Sequence, residues 1–566
     1  MVPRHDGWVR NYDPGRFVTP SSVPELRELI LALLKEDGAQ LRVRGAQHSD
    51  APSVYTDDFD PVRGPRSATR VNVLLDRLNS FDVDGDVIRA GAGMHLGRDP
   101  YALRPRRGGP DVVGRPHRRS GGTGAAPGTF RSSLVHRLDE MHLALPELGG
   151  ISHQTLGGFL CTGSAGGSTQ YDLVDSICEL TLINGMGRLV TLHRGEPDFP
   201  VALTSLGLLG VIVEVGFSKD PKKVGQPLPA AYDVAMTART ARVDDAPFDL
   251  FQDGAVAGFL CGHEYARILW WPQRDVNKVQ LWTGARVTCD PSVAPRPYVS
   301  FDRSTQYVAA WLYRHLLPCV APMIASGQPP AEPRIRARLE ALRAVTPRPP
   351  ELDDAALMGA LSERLATGMR ESAVDPSWRD CLIALLLNFF VKAEVRTNLL
   401  DHWFRALPHD NQVDDNVIPI LFTESWLDLD QAHLALRRLR DLFAREGLEA
   451  TGTMCLEIYA ANNKSSVLSP CCGKKVVRID PFVFWVDGRT RDQAVQTLFA
   501  RHWEALRDFG FRSHWGKILE PATPEVVARR RAAYGQERWD RFLSTRQRYD
   551  PRGLFLTTYW REHLGL

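Results

Sequence analysis

Long hydrophobic runs, regularly spaced cysteines and an excess of either charge are all missing from this sequence. No apolar run approaches the length that crosses a bilayer, and the first residues have no apolar core of the kind found in secretory signals. The formal net charge of +2 gives no reason to expect nucleic acid or an acidic membrane surface as a partner. The nine cysteines are scattered, apart from Cys471 and Cys472, and lack metal-ligand spacing. We therefore expect reduced thiols in a cytoplasmic protein with no bound metal.

The length and composition indicate a globular chain of at least two domains. The sequence has 566 residues, 43% of them hydrophobic and 24% charged, which is too long for one compact core. The composition turns polar around Asp220 and Pro221, where we place a domain boundary. Residues 98–131 are rich in Arg, Pro and Gly and are predicted to be an irregular insertion, with an Arg-rich phosphate site as the alternative. Residues 325–400 are predicted to be a helical insertion.

Hydrophobic periodicity predicts mixed helices and strands. Ser22 and Glu25 are spaced as a capping box at the start of a helix, and a short strand, Gln40 to Val43, leads into a polar loop. In the second half, amphipathic helices alternate with apolar strands, among them Thr453 to Ala460 and Val476 to Val486. This order favours an α+β fold in which helices cover one face of an antiparallel sheet.

The segment from Gly149 to Ser168, GGISHQTLGGFLCTGSAGGS, has the strongest local signal. Seven glycines are interleaved with apolar residues such as Leu156 and Phe159. A flexible loop is the alternative, but a solvated linker would not carry these apolar side chains. The segment is therefore predicted to be folded and buried, with its glycines allowing close approach of a flat or anionic ligand.

Four side chains are candidates for chemistry. His48 lies in the loop after the first strand, where it could be a base, a metal ligand, a covalent attachment point or simply structural. His514 and Lys517 flank Trp and Gly in HWGK, which could also be a surface turn. Glu457 interrupts the apolar strand MCLEIYA, so it faces either solvent or a pocket where desolvation would tune it.

Seven motifs occur in an order that resembles FAD-linked oxidases of the vanillyl-alcohol-oxidase type, and most of all the aldonolactone oxidases (gulonolactone and arabinono-1,4-lactone) and alditol oxidases. The motifs are Trp8 to Tyr12, Arg44 to Ser49, Gly149 to Ser168, SLGLLGVIVEV from Ser205, EIYAANNKSSVLSP from Glu457, HWGK at His514 and the DPRGLF ending. The resemblance implies an α+β chain with a two-part FAD-binding domain of the PCMH type over residues 1–220. A cap domain would span 221–540, and 541–566 would return to the FAD domain.

The resemblance also implies roles for individual residues. His48 falls where relatives bond the flavin covalently, and His514 falls where they contact it. Lys517 and Glu457 fall where the polyol-oxidising branch holds the substrate's hydroxyls. The implied catalytic residues are therefore Lys517 and Glu457. The implied FAD-binding residues are Arg44, Gly45, Ala46, Gln47, His48, Ser49, Gly150, Gly157, Thr162, Gly163, Ser164, Gly166, Gly167, Ser168, Gly207, Gly210, Val211 and His514.

The implied reaction is oxidation of a CH–OH group of a sugar-derived lactone or polyol. Hydride would pass to flavin N5 while Lys517 stabilises the developing alkoxide, and O2 would reoxidise the flavin to give hydrogen peroxide. A dehydrogenase with a quinone or cytochrome acceptor, and a catalytically impaired flavin-binding protein, are the alternatives.

Three positions depart from the family pattern. Gln47 stands where the first loop has a second glycine, and Ala165 stands where relatives often carry histidine. Tyr459 stands where the alditol branch has an arginine two residues after the acid. The last departure weakens the case for alditols and leaves a lactone or another hydroxylated substrate open.

Overall fold

The structure is a computed structural model. It describes residues 17–46, 48–59, 67–99, 128–273, 276–298, 391, 396–412, 420–451, 453–463, 465–484 and 495–566. Most of the two predicted insertions, 98–131 and 325–400, lies outside the described residues, as does Gln47.

The described residues before position 220, here called the first domain, start with a capped helix and a small parallel sheet. Helix α1 (Val23–Leu33) starts where predicted, since the Ser22 hydroxyl accepts a hydrogen bond from the Glu25 amide at 3.3 Å. The expected reciprocal bond is displaced by one residue, because the Glu25 carboxylate accepts from the Ser21 amide at 2.7 Å. Strands β1 (Gln40–Arg44) and β2 (Arg70–Leu74) then pair in parallel, with α2 (Ala51–Val54) between them in sequence.

A second sheet of the first domain has five antiparallel strands in the order β3-β4-β7-β5-β6. The predicted hairpin turn at Asp84 and Gly85 is confirmed, and the hairpin predicted around Asn184 is confirmed as well. The strands are β3 (Phe81–Asp84), β4 (Val87–Gly91), β5 (Ile177–Asn184), β6 (Leu189–His193) and β7 (Gly210–Ser218), and short helices α3 (Leu134–Asp139), α4 (Leu156–Cys161) and α5 (Phe199–Ala202) lie between them in sequence.

The described residues from 221 to 540, here called the second domain, contain a nine-stranded sheet in the order β11-β8-β10-β9-β14-β15-β13-β16, with β12 also paired to β15. All of its pairings are antiparallel. The strands are β8 (Tyr232–Arg242), β9 (Tyr265–Trp271), β10 (Lys278–Thr288), β11 (Arg396–His402), β12 (Ile420–Phe422), β13 (Ser425–Asp428), β14 (Thr453–Asn462), β15 (Lys475–Phe484) and β16 (Arg512–Ser513).

Strand β11 corrects part of the sequence prediction. The helical insertion was expected to extend to residue 400, but Arg396–His402 is a strand that pairs with β8. The sequence RTNLLDH has little alternation of its own. Its extended conformation therefore depends on the hydrogen bonds that β8 offers along a free edge, which is a tertiary effect.

Helices cover one face of this sheet, as predicted. Helices α6 (Ala255–Cys261), α8 (Ala432–Thr451) and α9 (Ala500–Leu506) share one hydrophobic core with β9, β10, β14 and β15. The short α7 (Trp403–Ala406) follows β11. Because side chains alternate along a strand, the opposite face carries the residues between the core positions, and this face points to the first domain.

The C-terminal segment contacts the first domain again. Helices α10 (Pro524–Tyr534), α11 (Gln536–Tyr549) and α12 (Thr558–Leu564) end the chain. The amide of Leu41 on β1 donates to the carbonyl of Leu554 at 2.9 Å. Within the part of the chain that is described, no helix is both long and apolar enough to cross a membrane.

Candidate active site

One large cavity lies between the two domains. It has an empty volume of about 1780 Å³, part of it open to solvent, and it is lined by both domains and by Trp560 of the C-terminal segment. The first domain contributes the described lining residues from Arg42 to Ile212. These residues include two arginines and no carboxylate. Four carboxylates line it from the second domain, namely Asp410, Glu424, Glu457 and Asp480. The cavity is therefore basic and glycine-rich on one side and acidic on the other.

The loop after β1 forms part of the glycine-rich side. Arg44, Gly45, Ala46, His48 and Ser49 all line the cavity, as the sequence predicted for this loop. Gly45 is required by close packing, because a Cβ at this position would lie only 2.4 Å from the Thr155 hydroxyl. The His48 side chain is buried, and its ring centroid lies 4.0 Å from that of His153.

The segment Gly149 to Ser168 is folded and buried, but only part of it faces the cavity. Gly150, Gly157, Thr162 and Ser164 line it. The other predicted cofactor contacts, Gly163, Gly166, Gly167 and Ser168, do not. Gly163 packs on Pro470, Gly166 on Leu148 and Gly167 on Tyr459, while the Ser168 hydroxyl donates to the Glu264 carbonyl at 2.6 Å. These four residues support the cavity wall from behind.

The turn before β7 contributes Gly207, Gly210 and Val211 to the lining, as predicted. Gly207 has a φ of +66°, a left-handed conformation that glycine adopts without strain. Arg42 holds this turn in place, and burial lowers its pKa to about 10. Its guanidinium donates to the carbonyls of Gly207 at 3.2 Å, Phe555 at 3.1 Å, Ser53 at 2.7 Å and Leu206 at 3.1 Å.

This side of the cavity fits a flat, anionic cofactor. The buried guanidinium groups of Arg42 and Arg44 supply positive charge, and the residues from 42 to 212 that are described in the lining bring no competing carboxylate. Gly150, Gly157 and Gly158 expose backbone without side chains to the cavity. A pyrophosphate and a planar ring system require both features.

The acidic side is built on alternate residues of β14 and β15. Leu456 and Ile458 point into the helix-covered core, so Glu457 points the other way, into the cavity. The Glu457 carboxylate pairs with Arg267 at 2.7 Å and with Arg478 at 3.1 Å. Of the two orientations that the sequence allowed for Glu457, the structure has the pocket-facing one.

Arg478 supplies a guanidinium beside Tyr459. The two residues are direct cross-strand partners, and the Arg478 guanidinium lies 4.3 Å from the Tyr459 ring centroid. Arg478 also pairs with Asp480 at 2.7 Å. A guanidinium from the neighbouring strand therefore lies beside position 459, although the side chain at 459 is tyrosine. Burial raises the pKa of both Glu457 and Asp480, although Arg478 opposes the shift in each.

His514 connects the two domains. Its Nδ1 accepts from the Gly516 amide at 3.1 Å, which leaves the proton on Nε2, and Nε2 lies 3.1 Å from the Ser164 hydroxyl. Burial lowers the pKa of His514 to about 4, so the ring is neutral at pH 7. Relatives often carry a histidine at position 165, where this chain has alanine. The adjacent residue, Ser164, nevertheless contacts a histidine, His514, from the second domain.

Lys517 lines the cavity beside an acid that the sequence reasoning missed. Its Nζ lies 3.6 Å from Glu424 Oε1 and 4.5 Å from the Phe422 ring centroid. The Glu424 carboxylate accepts from the Trp426 indole at 3.1 Å. Burial alone would raise the pKa of Glu424, but the positive charges of His514, when it is protonated, Arg478 and Lys517 lower it to about 2. Glu424 is thus an anion that holds the Lys517 ammonium in the cavity.

Several site residues were not found from the sequence, namely Arg42, Arg267, Asp410, Glu424, Arg478 and Asp480. A usable signal existed for Arg478 and Asp480, which occupy alternate positions of the apolar strand VVRIDPF and so share one face. Glu424 and Asp410 lie outside regular strands and had no such periodicity.

Two family models match the sequence. A model described as FAD binding domain matches residues 123–193, and a model described as D-arabinono-1,4-lactone oxidase matches residues 386–563. The first match covers the glycine-rich segment, and the second covers Glu424, Glu457, Arg478, His514 and Lys517. FAD is therefore the cofactor indicated for the basic, glycine-rich side of the cavity.

Relatives and solved structures agree with these matches. D-arabinono-1,4-lactone oxidase of Eremothecium gossypii is 31% identical over 325 residues, which are 56% of this chain and 50% of the relative. The same enzyme of Kluyveromyces lactis is 28% identical over 330 residues, or 56% and 51%. The chain thus spans about half the length of the curated relatives it matches.

The overall fold is shared with solved structures of cholesterol oxidase. A histidine-to-alanine mutant of cholesterol oxidase from Brevibacterium sterolicum superposes with a TM-score of 0.57 at 15% identity, over 96% of this chain and 93% of that one. A solvent-stable cholesterol oxidase gives a TM-score of 0.58 at 14% identity, over 99% and 97%. Together with the family models, these findings confirm the resemblance to FAD-linked oxidases: the chain shares the fold of cholesterol oxidase, and its two matched regions are similar to an FAD binding domain and to D-arabinono-1,4-lactone oxidase.

Proposed function

We propose that this protein is an FAD-dependent oxidase that removes a hydride and a proton from a CH–OH group of an uncharged sugar-derived lactone or polyol, with O2 as the electron acceptor. One observation carries the proposal. A single cavity joins the basic, glycine-rich side to an acidic side that holds Glu424, Glu457 and Lys517.

The first domain provides the groups that would bind the cofactor. Arg42 and Arg44 offer positive charge, the loop from Gly45 to Ser49 and the turn at Gly207 offer backbone, and His514 offers a neutral imidazole from the other domain. Bound FAD supplies the hydride acceptor for the reaction. A covalent link through His48 is part of the proposal, since this side chain lines the cavity.

The second domain provides a site that suits a neutral substrate. Asp410, Glu424, Glu457 and Asp480 face the cations of Arg267, Arg478 and Lys517. The four carboxylates and three cations nearly balance in formal charge, and burial, which raises the pKa values of Glu457 and Asp480, favours their neutral forms. A carboxylate or a phosphate on the substrate would disturb that balance, whereas hydroxyl groups can hydrogen-bond to every member.

The same side has an apolar wall. The rings of Phe422 and Phe482 pack edge to face with centroids 5.1 Å apart, and both line the cavity. Such a wall accommodates the C–H face of a sugar ring while its hydroxyls turn to the charged groups. The arrangement therefore favours a compact substrate with one apolar and one hydroxylated face, as in a sugar lactone.

The charged groups divide the proton chemistry between them. The Lys517 ammonium, held by the anionic Glu424, stabilises negative charge that develops on the reacting oxygen. Glu424 is a poor base because its pKa is lowered to about 2. Glu457 and Asp480 have raised pKa values and are better matched to accept the hydroxyl proton, with Glu457 also orienting neighbouring hydroxyls.

A cytoplasmic location is part of the proposal. It is supported by the scattered cysteines, since all seven cysteines among the described residues are free thiols. Reduced thiols are the rule in the cytosol.

A substrate screen read by peroxide release tests the proposed function. D-Arabinono-1,4-lactone, L-gulono-1,4-lactone and xylitol are compared with the anion arabinonate. We expect peroxide with at least one neutral compound and at least tenfold lower kcat/KM with the anion. If a compound reduces the flavin under argon but no peroxide forms in air, the protein is a dehydrogenase rather than an oxidase. If none of the compounds reduces the flavin, the proposal is contradicted.

The variant Lys517→Met tests the catalytic assignment in the same assay. We expect normal FAD content and a kcat lower by at least 100-fold, because the variant keeps the length of the side chain but loses its charge. Lys474→Met is the matched control, since Lys474 pairs with Asp428 at 2.6 Å and is not among the residues that line the cavity. A near-normal kcat for Lys517→Met would remove Lys517 from the mechanism.

A further inference from the structure

Three potential metal ligands meet at the far edge of the nine-stranded sheet. Asp233 lies near the start of β8, His402 at the end of β11, and Cys289 directly follows β10. Asp233 and His402 are direct cross-strand partners, and β8 lies between β10 and β11. None of the three is among the residues that line the cavity between the domains.

The distances suit one small cation. The His402 Nδ1 lies 2.7 Å from Asp233 Oδ1, the Cys289 Sγ lies 3.5 Å from the same oxygen, and all three ligand atoms lie within 4.8 Å of one another. Zinc bond lengths of about 2.0–2.3 Å place tetrahedral ligands roughly 3.3–3.6 Å apart. Shifts of less than about 1 Å in these side chains would bring them to that spacing.

The chemistry of the set also favours a cation. Thiolate, imidazole and carboxylate together are a typical donor combination for zinc. The Asp233 side chain is only 12% exposed, whereas His402 is 42% exposed and Cys289 is exposed, so a cation can enter from solvent and keep one position for water.

We propose that Asp233, Cys289 and His402 bind one Zn²⁺ ion, with water as the fourth ligand. The ligands belong to β8, to β11 and to the residue that directly follows β10, so the ion would tie the edge strand β11 to β8 and β10. Binding would release the thiol proton of Cys289 to solvent and would shift the His402 proton from Nδ1, where Asp233 accepts it in a hydrogen bond, to Nε2. Among the described residues, this is the one group of three Cys, His, Asp or Glu side chains whose ligand atoms converge in this way.

Alkylation of Cys289 tests the site without reference to enzyme activity. The FAD-loaded, untagged full chain, stripped with a chelator, is treated with iodoacetamide with and without 50 µM ZnCl2, and each cysteine peptide is quantified by mass spectrometry. We expect zinc to slow alkylation of Cys289 at least tenfold. The half-buried Cys261 is the internal control, and its rate should not change.

Variants and stoichiometry complete the test. Equilibrium dialysis is expected to give one zinc ion per wild-type chain, and less than 0.2 per chain for Cys289→Ser and for His402→Asn. Normal flavin absorbance of each variant shows that it has folded. An unchanged alkylation rate with zinc, or protection that survives in His402→Asn, would overturn the proposal.

Discussion

At the scale of single residues, the two buried histidines beside the first loop raise the sharpest question. The His48 and His153 rings lie 4.0 Å apart, yet only His48 is among the residues that line the cavity. The sequence resemblance implied a covalent flavin link at His48. The structure shows a second imidazole, that of His153, next to His48. An experiment must therefore decide which of the two histidines bonds the flavin.

His48→Ala is expected to lose acid-stable flavin while keeping noncovalent FAD, because the remaining lining of the glycine-rich side is unchanged. The measurement is the flavin absorbance of the pellet after acid precipitation. His153→Ala is the matched control and should keep its acid-stable flavin. The reverse pattern would move the attachment to His153, and acid-stable flavin in both variants would reject a link to either.

At the scale of secondary-structure elements, burial of charge-bearing side chains shapes the pH dependence of stability. His502 on α9 is buried against β13, with its Nε2 3.2 Å from the Ser425 hydroxyl. Burial lowers its pKa to about 3. Below about pH 6.5, His502 is therefore protonated in the unfolded chain but remains neutral in the folded chain. The folded state accordingly loses stability as the pH falls from about 6.5 towards 3.

His502→Gln is expected to reduce the loss of stability between pH 7 and pH 5 by about 2 kcal/mol, since glutamine does not titrate. The free energy of unfolding is measured in urea at both pH values. His514, with its pKa lowered to about 4, contributes in the same direction, so some loss should persist. His193→Gln, on a side chain that is 56% exposed, is the control. An equal loss in His502→Gln and wild type would show that His502 is not responsible.

At the scale of the whole molecule, the C-terminal segment closes the cofactor side of the cavity. Trp560 lines the cavity, and its indole donates to the Ser53 carbonyl at 3.0 Å. The Arg42 guanidinium donates hydrogen bonds to the Gly207 carbonyl in the first domain and to the Phe555 carbonyl in the C-terminal segment. The basic, glycine-rich side is thus assembled from chain segments as far apart in sequence as Arg42 and Phe555.

Trp560→Ala is expected to weaken FAD binding at least tenfold and to lower stability by about 3–5 kcal/mol, because it opens a void beside the cofactor side. FAD affinity is measured in the His48→Ala background, where the flavin can dissociate. Trp539→Ala is the control, since Trp539 is fully buried and is not among the cavity-lining residues. It should lose similar stability but keep its FAD affinity. Equal FAD affinities in the two variants would contradict a cofactor role for Trp560.

Local patterns made much of the fold predictable. The Ser22 cap, the hairpin at Asp84 and Gly85, and the pairing of the Thr453 and Val476 strands follow from turn chemistry and hydrophobic alternation, which act over a few residues. The order of motifs was enough to indicate the family and the cofactor. Strand β11 was missed because its conformation depends on β8 rather than on its own side chains.

The sequence by itself determined the chemistry available to this protein: glycines that admit a cofactor, His48, Glu457, His514 and Lys517. The tertiary structure alone decided how that chemistry is arranged. Whether Glu457 faced solvent or a pocket depended on which face of β14 the helices covered. The guanidinium beside Tyr459 comes from Arg478 because two strands pair in one particular register, and the Asp233, Cys289 and His402 cluster forms because three strand ends meet. Such contacts join residues that are distant in the chain, so no local pattern records them.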